Sequence, residues 1–278
     1  MPDLKGHVGI VTGSNRGIGK GIARRLALAG AQVVINGRSR EHAEQTAAEI
    51  RDESGIEPLV LPGDVTDPVF CDELVSETVR RFGFVDILVN NAWSGIHIGR
   101  VENKPPELFS AALDMAFLPA LRLMQGVFPL MKDRGWGRIV NVASLNGVNA
   151  HIYTADYNAA KEALRALTRT AAREWFRFGI VANVICPAAR TERFDEAYGA
   201  DADRVAGLIG AKLPPGRLGD PYQDIGGVVA FLSSDEVRFM TGNTLFIDGG
   251  AHISGMTWEP VPEEDGGGMA IDQYLRDK

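Results

Sequence analysis

Short, wholly apolar runs alternate with amphipathic stretches along most of this chain. The runs are Val8 to Val11, Val33 to Ile35, Leu59 to Leu61, Ile87 to Val89, Ile139 to Val142, Val181 to Ile185 and Leu245 to Ile247. Runs rich in β-branched residues, with no polar alternation, predict strands buried on both faces. The segments between them are mostly long enough for crossover helices. After the first run, Ile22, Ala23, Leu26 and Ala27 recur at helical spacing. This alternation predicts an α/β fold, a doubly wound, seven-stranded parallel sheet with helices on both faces. Ligands of such a sheet bind beyond the carboxyl ends of its strands. Gly13, Arg38, Asp64, Asn90, Ser144 and Pro187 all stand just past predicted strand ends, so the pattern gathers them on one rim.

Two segments on that rim carry chemistry. Thr12-Gly13-Ser14-Asn15-Arg16-Gly17-Ile18-Gly19 lies between the first strand and the first helix. Glycines there permit a tight turn and a close backbone approach, and a helix N-terminus offers free N–H groups to a pyrophosphate. A glycine connector without a ligand has the same composition. The second segment is Tyr157-Asn158-Ala159-Ala160-Lys161, whose helical spacing puts phenol and amine on one face. At about 4 Å and an effective dielectric of about 20, an ammonium favours a phenolate by about 4 kcal/mol. That is enough to bring a phenol from ~10 toward ~7, where it exchanges protons near neutral pH. A half-buried ring beside a solvated amine is the plainer alternative. Ser144 follows the fifth run and can hold a substrate oxygen.

Together, Thr12-Gly-x-x-x-Gly-Ile-Gly19, Asn90-Asn91-Ala92, Ser144, Tyr157-x-x-x-Lys161 and Asp248-Gly249-Gly250 resemble the short-chain dehydrogenases/reductases in order and spacing. The resemblance spans roughly residues 4–254. It implies a Rossmann-type catalytic domain over residues 1–254, a nicotinamide cofactor and a homotetramer or homodimer. Carried over residue by residue, it makes Tyr157 the general acid or base. Lys161 lowers the phenol pKa and holds the nicotinamide ribose, and Ser144 orients the substrate oxygen. It assigns the cofactor to Gly13, Ser14, Asn15, Arg16, Gly17, Ile18 and Gly19 of the turn. It adds Arg38, Asp64, Val65, Asn90, Ala92, Pro187 and Thr191 beyond other strands, with Tyr157 and Lys161. After the second strand, Asn36-Gly37-Arg38 lacks the carboxylate that would bind the ribose of NAD. Arg16 and Arg38 suit a 2′-phosphate instead, so NADP(H) is expected in preference to NAD(H). Both arginines can equally be solvated surface residues, and Asp64 can cap the next helix.

The chain departs from the family around the nicotinamide and the substrate mouth. Trp93 stands where glycine is usual, and Ala116 replaces the asparagine of a proton relay. Asn146 or Asn149 are candidates to rebuild that relay. Pro187-Ala188 replaces Pro-Gly, and Thr191 comes one position early. Candidate substrate residues are Trp93, His97, His151, Tyr153 and Phe194, with Arg190 and Arg193 available to an anionic group. They outline a largely apolar pocket for a cyclic or aromatic ketone or alcohol, although each ring can instead be core or subunit interface.

Composition narrows the picture further. A formal charge of −7 disfavours nucleic acid and anionic membranes as partners. No apolar run approaches the ~20 residues of a membrane span, and the polar start has no signal-peptide pattern. Two cysteines are too few for a disulfide framework, and the five histidines lack metal-ligand spacing, so no metal is expected. A soluble cytoplasmic protein follows. Residues 255–278, with Glu263-Glu264-Asp265 and Gly266-Gly267-Gly268, read as a mobile tail. The alternative is a lid or subunit arm anchored by Trp258, Ile271 or Tyr274. The expected function is ketone–alcohol interconversion on a small molecule. A non-catalytic NADP-binding protein and a non-redox lyase or epimerase are the alternatives raised by Ala116.

Overall fold

All seven predicted strands form, and they pair in one sheet. In the computed structural model, which describes residues 2–253, they are β1 (Val8–Val11), β2 (Gln32–Gly37), β3 (Leu59–Pro62), β4 (Ile87–Asn90), β5 (Gly137–Val142), β6 (Ile180–Pro187) and β7 (Thr244–Ile247). The order is β3-β2-β1-β4-β5-β6-β7 and every pairing is parallel. Connections run outward from β1 in both directions, so the topological switch point lies between β1 and β4, where such sheets bind ligands.

Among the described residues, ten α-helices punctuate the strands: α1 (Gly17–Leu28), α2 (Arg40–Ser54), α3 (Pro68–Phe82), α4 (Pro106–Ala116), α5 (Leu118–Arg134), α6 (Leu145–Val148), α7 (Ala155–Trp175), α8 (Glu192–Tyr198), α9 (Ala202–Gly210) and α10 (Gly227–Leu232). Local chemistry sets several boundaries. Ser39 accepts from the His42 N–H to start α2, and Asp67 accepts from Val69 N–H ahead of Pro68 to start α3. Successive strand residues face opposite sides. Val33, Ile35, Val140 and Ile185 therefore pack with Ile22, Leu26 and Val229 on one face. Ile10, Val34, Leu88 and Ile139 pack with Leu74, Leu123 and Met124 on the other.

One expectation changes. Pro106–Arg134, the α4–α5 pair, is long and apolar enough to cross a membrane by length and composition. It escapes a search for apolar runs because polar residues interrupt it. One face of α5 packs on the protein itself, with Leu123, Met124, Val127 and Met131 buried against the sheet. The 255–278 tail and its anchors Trp258, Ile271 and Tyr274 lie outside the described residues.

Candidate active site

The glycine turn is built into the end of β4. Thr12 Oγ1 accepts from the N–H groups of Asn91 (2.9 Å) and Ala92 (3.0 Å), while Asn91 Nδ2 donates to the Thr12 carbonyl at 2.8 Å. Gly13 has φ +62°, and a Cβ on Gly19 would lie 2.3 Å from the Gly13 carbonyl oxygen. No side chain fits there. The first turn of α1 is therefore bare backbone, with no side-chain cap from Arg16. This cradle fits a dinucleotide pyrophosphate. Two carboxylates of α8 meet it: Gly17 N–H donates to Glu192 Oε2 at 2.8 Å, and Arg16 Nη1 pairs with Glu196 at 3.0 Å. Arg16 is thus engaged by an acid, whereas Arg38 is exposed beyond β2 and has no ion pair among the described residues.

Two expected cofactor residues turn inward instead. Ser14 is fully buried; its hydroxyl donates to the Val11 carbonyl at 2.6 Å and accepts from Asn36 N–H at 3.0 Å. It braces β1 to β2. Asn90 Nδ2 donates to Asn141 Oδ1 at 2.8 Å inside the sheet. The neighbouring asparagines, Asn36 and Asn91, line the cavity in their place.

Ser144 caps α6, accepting from Asn146 N–H at 3.2 Å. Tyr157 and Lys161 face it from the first two turns of α7. Burial pushes the phenol of Tyr157 above its ordinary pKa; the Ser144 hydroxyl opposes that shift and the Cys186 thiol adds to it. Lys161 is buried, and its Nζ donates to the Val142 carbonyl at 2.8 Å. Burial lowers its pKa from 10.5 to about 8. Its Nζ is 5.8 Å from the Tyr157 ring centroid and 5.2 Å from that of Trp93. Burial, rather than the neighbouring ammonium, sets the direction of the phenol's shift.

These groups share one cavity of about 830 Å³. From the turn it takes Gly13, Asn15, Arg16, Gly17, Ile18 and Gly19. From the rim it takes Arg38, Asp64, Val65, Ala92, Pro187 and Thr191, and around the phenol Trp93, Ser144, Lys161 and Phe194. Asp64 does not cap the next helix, a place Asp67 takes; it accepts from Thr66 N–H at 2.9 Å in the turn before it. Thr191 caps α8 through Phe194 N–H.

Three expected substrate residues lie elsewhere. His97 is exposed, and its carbonyl accepts from Lys104 Nζ at 2.5 Å. His151 and Tyr153 line a separate depression beside Val101 and Ile152. The backbone of this stretch is left-handed at Ala150 (φ 51°) and Tyr153 (φ 68°). Arg190 is committed to Asp195 (2.6 Å) and Asp203 (2.8 Å), while Arg193 lines the cavity. Asn149 ends α6, and Asn146 meets Ser144 through its backbone.

Sequence reading missed a buried pair, Lys104 Nζ to Asp156 Oδ1 at 2.5 Å, which ties the 93–104 loop to the residue before Tyr157. It also missed Glu192 and Glu196. Among the described residues, no cluster of three or more His, Cys, Asp and Glu could hold a metal.

A family model described as enoyl-(acyl carrier protein) reductase matches residues 12–252. The chain is 34% identical over 252 residues to the 3-oxoacyl-(acyl-carrier-protein) reductase of Escherichia coli (strain K12), covering 90% of this chain and 99% of that protein. It is 34% identical over 259 residues to 12alpha-hydroxysteroid dehydrogenase of Clostridium sp., covering 90% and 98%. Among solved structures, L-sorbose reductase from Gluconobacter frateurii complexed with NADPH and L-sorbose superposes with a TM-score of 0.83 at 28% identity, covering 89% of this chain and 97% of that one.

Proposed function

The chain belongs to the short-chain dehydrogenase/reductase family, an oxidoreductase family that interconverts ketones and alcohols, and we propose that it does so with NADP(H) on a largely apolar, cyclic or aromatic small molecule. The observation that carries this reading is the meeting of Ser144, Tyr157 and Lys161 with the bare glycine turn in one cavity. Arg38, exposed on that cavity with no carboxylate at the end of β2, supports a 2′-phosphate over a free ribose. The NADPH complex of the sorbose reductase supports the same choice. Trp93, Met115 and Phe194 supply apolar walls next to the phenol.

When bound, the nicotinamide supplies or accepts the hydride. Gly13, Gly17 and Gly19 leave room for its pyrophosphate on the α1 N-terminus. In reduction, Tyr157, protonated at neutral pH because burial raises its pKa, donates its proton to the developing alkoxide. Ser144 holds that oxygen and shares its charge. Lys161, an ammonium at neutral pH with a pKa of about 8, stabilises the phenolate left behind, which takes its proton back from solvent. Alcohol oxidation runs the same transfers backward. A cytoplasmic homodimer or homotetramer, with small molecules rather than nucleic acid or membrane as partners, completes the proposal.

The test is NADPH and NADH consumption at 340 nm against a panel of cyclic and aromatic ketones. The expected result is ketone-dependent turnover with NADPH preferred at least tenfold in kcat/KM. Cofactor binding with no turnover of any ketone, diol or hydroxy-acid would point instead to a binding role.

A further inference from the structure

Trp93 does more than narrow a mouth. Its ring packs on Ala112, Ala116 and Ala160, with Leu113 alongside. Ala112 and Ala116 are one turn apart on α4, and Ala160 adjoins Lys161 on α7, so small side chains on two helices face one indole. The ring lies 4.8 Å from Tyr157, centroid to centroid, in an edge-to-face arrangement at 67°. Lys161 Nζ sits over the same indole at 5.2 Å. Both groups that serve the proton transfer in the reading above therefore touch one side chain.

We propose that Trp93 is a positioning residue: seated on the alanines at 112, 116 and 160, its indole holds the Lys161 ammonium over its face and steers the Tyr157 ring. This rests on the reading of Tyr157 as the proton donor and Lys161 as the cation that stabilises its phenolate. A buried ammonium needs acceptors for its donors, and the Val142 carbonyl accounts for one of them. The face of an indole is the strongest aromatic site for a cation. The other titratable groups facing Lys161 are Tyr157 on α7 and Cys186 on β6, and neither is a carboxylate that would neutralise the ammonium. The indole Nε1 is itself buried without a partner among the described residues. A phenylalanine would avoid that desolvation cost, so filling space is a poor reason for tryptophan here. Ala116 fits the same account. A longer polar side chain at that position would occupy the indole's seat, which makes the departures at 93 and 116 one structural change.

Lysine-13Cε NMR titration of the free full-length chain tests this without any turnover. The Lys161 signal is assigned by its loss in Lys161→Arg. Trp93→Leu is expected to lower the Lys161 midpoint by about 0.5–1.5 pH units, the range that cation–π attraction spans. Trp93→Phe, which keeps a ring face, should recover at least half of the shift. Trp93→Met serves as the apolar variant if Trp93→Leu does not fold. A midpoint equal in wild type and in the folded apolar variant would overturn the proposal. So would Trp93→Phe shifting as far as the apolar variant. Because the signal titrates whether or not a ketone is reduced, failure of the oxidoreductase reading would show separately, as absent turnover in wild type.

Discussion

Replacing Lys161 by methionine should stabilise the folded protein while abolishing activity. Lys161 is 3% exposed, and burial lowers its pKa from 10.5 to about 8. At about 1.4 kcal/mol per pH unit, that drop is a folding cost of about 3 kcal/mol at neutral pH. Methionine fills similar volume with no charge to bury. It loses the hydrogen bond to the Val142 carbonyl and the indole contact, which offset about 1–2 kcal/mol of the gain. A net stabilisation of about 1–2 kcal/mol at pH 7 remains. The sign with pH follows from proton counting. Between about 8 and 10.5 the unfolded lysine holds a proton that the folded one has released, so wild-type stability from this group rises with pH. Below pH 8 both states are protonated and the full cost applies; above 10.5 both are neutral and the cost vanishes. Urea denaturation of both proteins from pH 6.5 to 10.5 measures the difference. It should be largest below pH 8 and shrink across that window. Lys161→Met less stable than wild type at pH 7, or a difference indifferent to pH, would refute the burial argument.

Other substitutions probe the rest of the cavity. Tyr157→Phe should lower kcat by about 10²–10⁴-fold with cofactor affinity little changed, measured by turnover and by NADPH fluorescence titration. Arg38→Ala should weaken NADPH binding about 10- to 100-fold and leave NADH nearly unaffected, as calorimetry of both cofactors would show. Glu192→Gln removes the carboxylate that Gly17 N–H meets at 2.8 Å, so NADPH affinity should rise about three- to tenfold. Gly19→Ala, whose Cβ would meet the Gly13 carbonyl at 2.3 Å, should cost about 1–3 kcal/mol in a denaturation curve and remove the NADPH-dependent rise in Tm.

The sheet was legible because its strands are buried on both faces, which leaves uninterrupted β-branched runs such as Ile139 to Val142 and Val181 to Ile185. Polar ends were harder: Asn36 and Gly37 complete β2 through backbone pairing with Leu61 and Pro62, which no hydrophobic pattern marks. The gathering of Ser144, Tyr157 and Lys161 beside the glycine turn could be anticipated from strand ends and helical spacing. Side-chain direction could not. Ser14 and Asn90 lie one residue from cavity-lining neighbours and point into the sheet. His151 and Tyr153 line a separate depression, in a stretch whose two left-handed residues, Ala150 and Tyr153, have no glycine to announce them. Long-range partners were invisible for a different reason. Lys104 and Asp156 are 52 residues apart, and Glu192 stands 175 residues beyond Gly17, so only tertiary packing brings them together. The pKa direction of Tyr157 depended on its burial, which spacing alone cannot supply. Four residues on a helix put phenol and ammonium on one face, but desolvation by the surrounding packing raises the phenol's pKa.

Hydride transfer under the control of Tyr157 is the central claim, and isotope transfer measures it most directly. The chain is incubated with a ketone from the panel and NADPH deuterated at the transferred C4 position, and the product is weighed by mass spectrometry. The account predicts an alcohol one mass unit heavier than with unlabelled NADPH, and formation of that alcohol lost in Tyr157→Phe. Product without deuterium, or deuterated alcohol formed equally fast by Tyr157→Phe, would contradict it.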